Sequence, residues 1–481
     1  MTKEDLLSWI NKKSDSIFIL SDSLWDHPEL NYQEHFAKEQ ICNALEKEGF
    51  FITSDISGIS TAFTGTYGSG SPVIGILGEF DALAGLSQKA CVAEKVKDPS
   101  MENGHGCGHN LLGAGSLLAA FAVKHYLEEN RQSGTIIYYG CPAEEGGSGK
   151  TFLARDGVFS HLDAALSWHP SDYNAVSTGS SLANIQILYK FNGISAHAAS
   201  VPHLGRSALD AVELMNVGSN FLREHIIPEA RIHYAITNSG GTMPGIVQPY
   251  AEVLYMIRAP RLTEVREIKE RLTKVAEGAA LMTGTTMDAQ FIKSSSNIIP
   301  NTALGNLLYL NMKQIPVPAA TDEELQYAEN LQDSMDETVN SLDFLARHSA
   351  PGQREYIKQH FGQKINDFLV PYAPIDTCQS YSTDVGDVSW VCPTAQIATT
   401  TWIADSVEHT WQVVAQGKSS LAHSGLLYAA KVLASTIIDL LDNPSVIITA
   451  KKELKERLQG ESYLSPIPPD VNPSLQKSFN H

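Results

Sequence analysis

Apolar runs and amphipathic stretches alternate along the first third of the chain. Two amphipathic helices are predicted over 4–50, and a helix rich in small residues is predicted over 111–127. Three apolar runs without polar alternation predict strands that are buried on both faces: 72–80, 135–141 and 163–168. This order of helices and strands is typical of an open α/β sheet.

The pattern changes after residue 181. Alternating apolar positions predict half-exposed strands, and helical spacing predicts two helices, in the order strand, helix, strand, strand, helix, strand. That order is a split βαβ module. We therefore predict an α+β domain at 182–294, inserted between the two parts of a main α/β domain, 1–181 and 295–481. In the second part, a stretch with two acids, Asp384 and Asp387, predicts a turn.

Length and composition agree with a soluble protein of two domains. A chain of 481 residues exceeds the usual size of one hydrophobic core. The 43% hydrophobic and 19% charged residues are ordinary globular values. The net charge of −19 argues against a surface for nucleic acid or anionic membrane.

The N-terminus and the cysteines predict a cytoplasmic protein. The first residues are charged and lack the apolar core of a signal peptide. The longest apolar segment, near 113–123, is too short to span a bilayer. The six cysteines have no framework spacing, which fits a reducing compartment.

Two adjacent carboxylates, Glu144 and Glu145, follow the predicted strand 135–141 in a glycine-rich turn. Like charges side by side cost free energy unless a cation holds them. A bound metal would allow one to act as a ligand and the other as a base. A solvated acidic turn is the alternative for the pair taken alone. The following Gly149 and Lys150 resemble the end of a phosphate-binding loop, but the carboxylates would repel phosphate, so we exclude a nucleotide site.

Other polar residues also lie at strand ends or helix starts. Asp81 follows strand 72–80, and His169 follows strand 163–168. Cys107 and His109 precede the helix 111–127, whose N-terminus would favour an ionised thiol. Ligands bind at the carboxyl ends of strands in an open α/β sheet, so we expect these side chains to meet there.

The donors suit a divalent metal such as zinc, manganese or cobalt, with Glu144 left over as a base. A metal polarises an amide carbonyl and acidifies water, and a glutamate can pass the water proton to the leaving nitrogen. The residues therefore predict amide hydrolysis. Separate structural roles are the alternative, since no pair has a stereotyped spacing such as His-Glu-x-x-His. The predicted ligands are Cys107, His109, Glu145, His169 and His409.

Eight segments together resemble the M20 metallopeptidase family, and within it the amidohydrolase branch, over nearly the whole chain. They are GEFDALAG, ENGHGCGHNLLGAG, YGCPAEEGGSGKTF, SWHP, GISAHAASVPHLGRSALDAV, NSGGTMPGIVQPYAEVLYMIRAP, STDVGDVSW and EHTWQ. The resemblance implies a catalytic α/β domain with a mixed central sheet, interrupted by a lid that also dimerises.

The resemblance also implies roles for single residues. The five predicted ligands would hold one or two zinc or manganese ions, and Glu144 would be the general base. Asp81 would orient a ligand histidine. His197 would reach the active site of the other subunit, although by itself it reads as a loop histidine. Arg258 would bind a substrate carboxylate, with a surface arginine as the alternative. Glu79 stands where other branches carry a metal-binding histidine.

The implied activity is hydrolysis of the amide bond in an N-acyl or p-aminobenzoyl amino acid conjugate, with glutamate as the released amino acid. A dipeptidase or aminoacylase with the same centre is the first alternative. The second is a subunit that completes the site of a partner. The implied partners are a small amide substrate and either a second copy, through the lid, or a related A-type chain.

Overall fold

The computed structural model describes residues 1–335 and 339–473. The strands in this part of the chain are β1 (Phe51–Ser54), β2 (Phe63–Ser69), β3 (Val73–Glu79), β4 (Gly134–Cys141), β5 (Ala164–Ser171), β6 (Ala175–Val176), β7 (Ala183–Asn192), β8 (Arg231–Asn238), β9 (Tyr250–Ala259), β10 (Thr286–Ser295) and β11 (Thr394–Thr400). The helices are α1 (Lys3–Asp26), α2 (His35–Lys47), α3 (His109–Asn130), α4 (Gly149–Arg155), α5 (Ala208–Arg223), α6 (Leu262–Thr283), α7 (Thr302–Gln314), α8 (Asp322–Gln332), α9 (Ser341–Arg347), α10 (Pro351–Lys358), α11 (Val385–Val391), α12 (Trp411–Gln416), α13 (Ser420–Asp442) and α14 (Ser445–Leu458).

The larger sheet is mixed, as predicted. Its order is β1-β2-β4-β3-β5-β11-β6. The central strands β4, β3, β5 and β11 are parallel neighbours, and β1, β2 and β6 add antiparallel pairs at the edges. The pattern of apolar residues predicted three of the central strands, β3, β4 and β5, which are buried on both faces. It missed the edge strands, because they are short or partly exposed.

Helices cover both faces of this sheet. The main core lies between the sheet and α1, α3, α7 and α13. By length and composition α13 could span a membrane, so the prediction that 113–123 is the longest apolar segment is wrong. In the chain, 78% of the apolar window of α13 is buried, as in the core helix of a globular domain. The opposite face of the sheet carries α4 and α11.

The smaller sheet has the order β10-β7-β9-β8, and all of its pairs are antiparallel. Helices α5 and α6 pack on one face of it and form a separate hydrophobic cluster, with Ile185, Tyr255, Met215 and Leu272 fully or almost fully buried. Neither α5 nor α6 packs on the other face of the smaller sheet. The division of the chain at 182 and 294 stays a prediction. The second sheet and its separate core agree with it.

Candidate metal centre

The end of β4 places the two adjacent carboxylates at the edge of the larger sheet. Because β3 and β4 are parallel and Glu79 pairs with Cys141, the segments that follow both strands lie side by side. Ala143, just before Glu144, has φ +60° in the left-handed region, which a residue with a side chain rarely adopts. Its N–H donates to Oε1 of the buried Glu34 at 2.9 Å. This bond holds the strained turn that presents Glu144 and Glu145.

A first group of donors contains Cys107, His109 and His169, with ligand atoms within 4.8 Å of one another. Sγ of Cys107 lies 3.5 Å from Nε2 of His169. Nδ1 of His169 lies 2.7 Å from the carbonyl of Pro170, so it carries the proton and leaves the lone pair of Nε2 toward the thiol. The sequence had indicated that His169 follows the strand, but in the structure it lies within β5.

A second group contains Cys107, Glu145 and His409, also within 4.8 Å of one another. Nε2 of His409 lies 3.3 Å from Oε2 of Glu145. His409 has φ +64° and its backbone N–H donates to the carbonyl of Gly106 at 2.8 Å, which ties its loop to the Cys107 segment. The structure therefore brings the five predicted ligands together, and Cys107 belongs to both groups.

Asp81 lies between the two groups. Its Oδ1 is 2.9 Å from Nδ1 of His109, and its Oδ2 accepts the backbone N–H of Glu145 at 2.9 Å. Burial alone would lower the pKa of His109, but the hydrogen bond and charge of Asp81 raise it to about 10. A carboxylate on the far nitrogen of a ligand histidine is a common arrangement in metal sites.

Buried atoms without a hydrogen bond show that this cluster fits a cation. Oε1 of Glu145 is buried and has no hydrogen-bond partner among the described residues, and Nε2 of His109, which lies 3.3 Å from Oε2 of Glu79, also makes no hydrogen bond there. Burial of such atoms is costly unless something else satisfies them. Thiol, imidazole and carboxylate donors within ligand distance of one another are the set that a divalent metal ion takes. The residues present form a site for a divalent metal.

The buried surroundings of Cys107 oppose the ionised thiol that the start of α3 was predicted to favour. Burial, together with the charge of Glu145, raises the pKa of the Cys107 thiol well above its usual value. For Glu145, burial alone would raise the pKa, but the hydrogen bond from His409 and the charge of His109 lower it to about 2. The site thus holds a ready carboxylate ligand, whereas the thiol needs a cation beside it to lose its proton.

Glu144 is half-buried, and one of its oxygens lies within 4.8 Å of ligand atoms of His109 and Glu79. Burial, followed by the charges of Glu79 and Asp384, raises the pKa of Glu144 well above its usual range in the metal-free chain. A carboxylate with a raised pKa accepts a proton more readily, which is what a general base requires.

Sequence reasoning missed a buried ionic network behind Glu144. The ammonium of Lys150 lies 2.7 Å from Oε1 of Glu79 and 2.5 Å from Oδ1 of Asp384. Asp384 precedes α11, where a turn was predicted, and its Oδ2 also accepts the backbone N–H of Lys150 at 2.8 Å. The available signal was a lysine inside an otherwise glycine-rich turn, next to an acid at the end of a buried strand.

Among the described residues, neither of the two predicted lid residues makes a hydrogen bond or an ion pair with the five predicted ligands. His197 is exposed, and the described residues provide no hydrogen bond or ion pair between it and the five ligands. Its Nδ1 accepts the N–H groups of Ala199 and Ser200, both at 3.2 Å, so Nε2 carries the proton. Arg258 is half-buried, with Nη1 3.4 Å from Oγ of Ser382, and among the described residues no carboxylate lies within ion-pair distance of it.

A mixed α/β sheet with sulfur, nitrogen and oxygen donors near the ends of its parallel strands is the architecture of a metal-binding α/β protein. The family model described as peptidase family M20/M25/M40 matches residues 80–438. The chain belongs to this family, as its motifs had indicated, and is a hydrolase that acts on amide bonds.

Comparison with individual proteins agrees with membership of this family. The chain is 47% identical over 460 residues to the B chain of the p-aminobenzoyl-glutamate hydrolase of Escherichia coli (strain K12), covering 95% of this chain and 96% of that one. It is 29% identical over 476 residues to a Xaa-Arg dipeptidase of Mus musculus, covering 95% and 93%. Its fold is similar to that of a dinuclear metal-binding peptidase of the M20 family from Bacillus subtilis, with a TM-score of 0.53, 17% identity and coverage of 90% and 99%.

Proposed function

We propose that this chain hydrolyses the amide bond of a p-aminobenzoyl amino acid conjugate, with p-aminobenzoyl-glutamate as the preferred substrate. The observation that carries the proposal is the placement of the Glu144 carboxylate within 4.8 Å of ligand atoms of His109 and Glu79, where His109 also belongs to one of the two donor groups that share Cys107. The 47% identity to one chain of a p-aminobenzoyl-glutamate hydrolase, over 95% of this chain, supports the choice of acyl group.

We propose that the five residues would hold one or two zinc or manganese ions. The support is that each group of three donors is complete by itself and that Cys107 is the member they share. A metal bound here supplies Lewis acidity, which polarises an amide carbonyl and makes water more acidic. Asp81 orients His109 and the Glu145 backbone, so that both ligands are held before a metal arrives.

In this proposal the chain moves the proton through Glu144. The carboxylate accepts a proton from the attacking water and returns it to the leaving nitrogen. His197 donates from Nε2–H to the developing oxyanion. The two backbone N–H groups that donate to its Nδ1 favour the tautomer with the proton on Nε2. Arg258, a guanidinium without a carboxylate partner among the described residues, binds the carboxylate of the released amino acid.

Because His197 is exposed and makes no hydrogen bond or ion pair with the cluster among the described residues of its own chain, the proposal includes a second subunit. We propose that residues 182–294 form a lid and dimerisation domain between the catalytic parts 1–181 and 295–481. The partner is a second copy or a related A-type chain. The six cysteines, all within the described part of the chain, form no disulfide, which supports our proposal of a cytoplasmic location.

The test is hydrolysis of p-aminobenzoyl-glutamate by the purified, metal-reconstituted chain, beside its Glu144→Gln variant at equal metal content. We expect cleavage by the wild type and a loss of about 10²- to 10⁴-fold in kcat for the variant, since that is the usual contribution of a general base. Full activity in the variant would contradict the role of Glu144. An inactive wild type that holds metal would contradict the substrate or the assumption that the chain works alone.

A dipeptidase is the second candidate, because the 29% identity to a Xaa-Arg dipeptidase also covers 95% of the chain. The two functions are separated by a panel of p-aminobenzoyl conjugates, N-acyl amino acids and dipeptides under the same conditions. A value of kcat/KM that is highest for a dipeptide would favour this candidate. Activity that requires a related second protein would favour a heteromeric enzyme.

A further inference from the structure

A β-bulge in the last strand of the smaller sheet changes the face on which Lys293 lies. Phe291 pairs with Ile187, but Lys293 pairs with Gln186, so Ile292 is an extra residue. A regular ladder would have put Lys293 opposite Ile185, on the face that packs against α5 and α6. The bulge moves it to the face without helices, and bulges commonly redirect a side chain in this way near active sites.

On that face Lys293 reaches the candidate metal centre. Its half-buried ammonium donates to the backbone carbonyl of Glu145 at 2.6 Å. The strand that carries it is held firmly just beyond this point, because the N–H and Oγ of Ser296 donate to the carboxylate of Asp387 at 3.0 and 2.6 Å. Lys293 therefore extends from the inserted segment to the turn of Glu144 and Glu145, and the backbone that carries it is held in place.

Both backbone groups of Glu145 are thus bound by charged side chains. Its N–H donates to Asp81 of the main sheet at 2.9 Å, and its carbonyl accepts from Lys293 of the inserted segment at 2.6 Å. Hydrogen bonds with a charged partner are stronger than neutral ones. Because the peptide units on both sides of the Glu145 Cα are held, the direction in which the Glu145 side chain leaves the backbone is fixed.

We propose that Lys293 is a positioning residue that reaches from the inserted segment and fixes the Glu144–Glu145 turn. The inference rests on the proposed roles of Glu144 and Glu145. Loss of the ammonium would release the carbonyl of Glu145. The turn that presents this ligand to the metal site would then be less ordered.

The test compares Lys293→Met, which keeps the length of the side chain but not its donors, with Lys293→Arg, which keeps charge and donors. Lys274→Met, an exposed lysine of α6, is the control. Affinity for Mn²⁺ is measured by electron paramagnetic resonance on chelator-treated protein, without substrate. We expect Lys293→Met to weaken Mn²⁺ binding about 10-fold or more, as loss of a residue that supports a ligand typically does. Lys293→Arg should restore most of the affinity, and Lys274→Met should match the wild type.

Steady-state kinetics at saturating metal give a second readout. We expect Lys293→Met to lower kcat for every substrate cleaved, with a smaller change in KM. Wild-type Mn²⁺ affinity in Lys293→Met would overturn the proposal, as would an effect confined to KM for substrates with a second carboxylate, which would indicate a substrate contact. Because the metal titration uses no substrate, failure of the proposed hydrolysis leaves this comparison intact.

Discussion

The ammonium of Lys150 lies 2.7 Å from Oε1 of Glu79, and the two side chains are 0% and 2% exposed. Asp384 completes the network at 2.5 Å, while the other oxygen of Glu79 lies 3.3 Å from Nε2 of His109. Burial alone would lower the pKa of Lys150, but the charges of Asp384 and Glu79 raise it. The buried cation thus links the interior of the main domain to a predicted ligand.

Removal of this cation should destabilise the fold. Lys150→Met leaves two buried carboxylates without a counter-charge, and loss of one partner of a buried ion pair typically costs about 3–5 kcal/mol. Urea unfolding should show this loss. The double variant Lys150→Met with Asp384→Asn keeps the same net charge in the network as the wild type, so part of the stability should return. Wild-type stability of the single variant would mean that water or relaxation neutralises the acids.

Loss of the thiol shared by both donor groups should weaken metal binding most. We expect Cys107→Ser to bind Mn²⁺ or Zn²⁺ at least about 100-fold more weakly, beyond the effect typical of residues that only support a ligand. Metal content after dialysis, measured by elemental analysis, should fall for both groups together. Cys91→Ser, at an exposed cysteine, is the control and should keep its metal. Retention of one full equivalent in Cys107→Ser would contradict a shared ligand.

The smaller sheet exposes apolar side chains beside an unpaired edge strand. Phe221 on α5 is 72% exposed, and Ile236 on β8 is 46% exposed. If subunits associate through this region, Phe221→Glu with Ile236→Lys should convert the wild-type dimer to a monomer in light scattering and lower activity, because His197 would lose its partner site.

Ile19→Lys is the matched control for this experiment. Ile19 lies on α1 and is 71% exposed, so its substitution removes a comparable apolar surface from the other part of the molecule. This variant should remain a dimer with wild-type activity. A wild-type chain that is monomeric and fully active would contradict both the interface and the role of His197 across it.

The buried Asp172 should make stability depend on pH. Its Oδ2 accepts the backbone N–H of Asp405 at 2.9 Å and the hydroxyl of Ser341. Burial, with a contribution from the charge of Asp405, raises its pKa from 3.8 to about 7. Between these values the folded chain binds more protons than the unfolded chain. The stabilisation is complete below the unfolded pKa and is lost as pH rises through the folded pKa.

Asp172→Asn removes this titration. The difference in free energy of unfolding between pH 5 and pH 8, from urea denaturation, should therefore shift toward greater relative stability at pH 8 in the variant. Asp470→Asn, at an exposed acid, should keep the wild-type difference. An unchanged difference in Asp172→Asn would show that Asp172 is ionised throughout this range.

The sequence by itself determined the central strands, the main helices and the family. Apolar runs buried on both faces, such as β3 and β4, can be recognised locally because each residue carries the burial signal in its own side chain. The rule that parallel strands end at one edge then predicted that acids and histidines following them would meet, as the structure shows for the five donors. The roles of those donors stay predictions.

Only the tertiary structure decided which side chains contact one another. The pairing of Lys150 with Glu79 and Asp384 depends on how α4 and α11 pack against the sheet, and no local pattern encodes that contact. The sequence suggested an ionised Cys107, whereas the surrounding burial favours the thiol. Lys293 reaches Glu145 because one extra residue in β10 reverses its face. The alternation of apolar and polar residues along a strand is the same in the sequence whichever register the strand adopts. Only its pairing with the neighbouring strand therefore decides which side chains face the site.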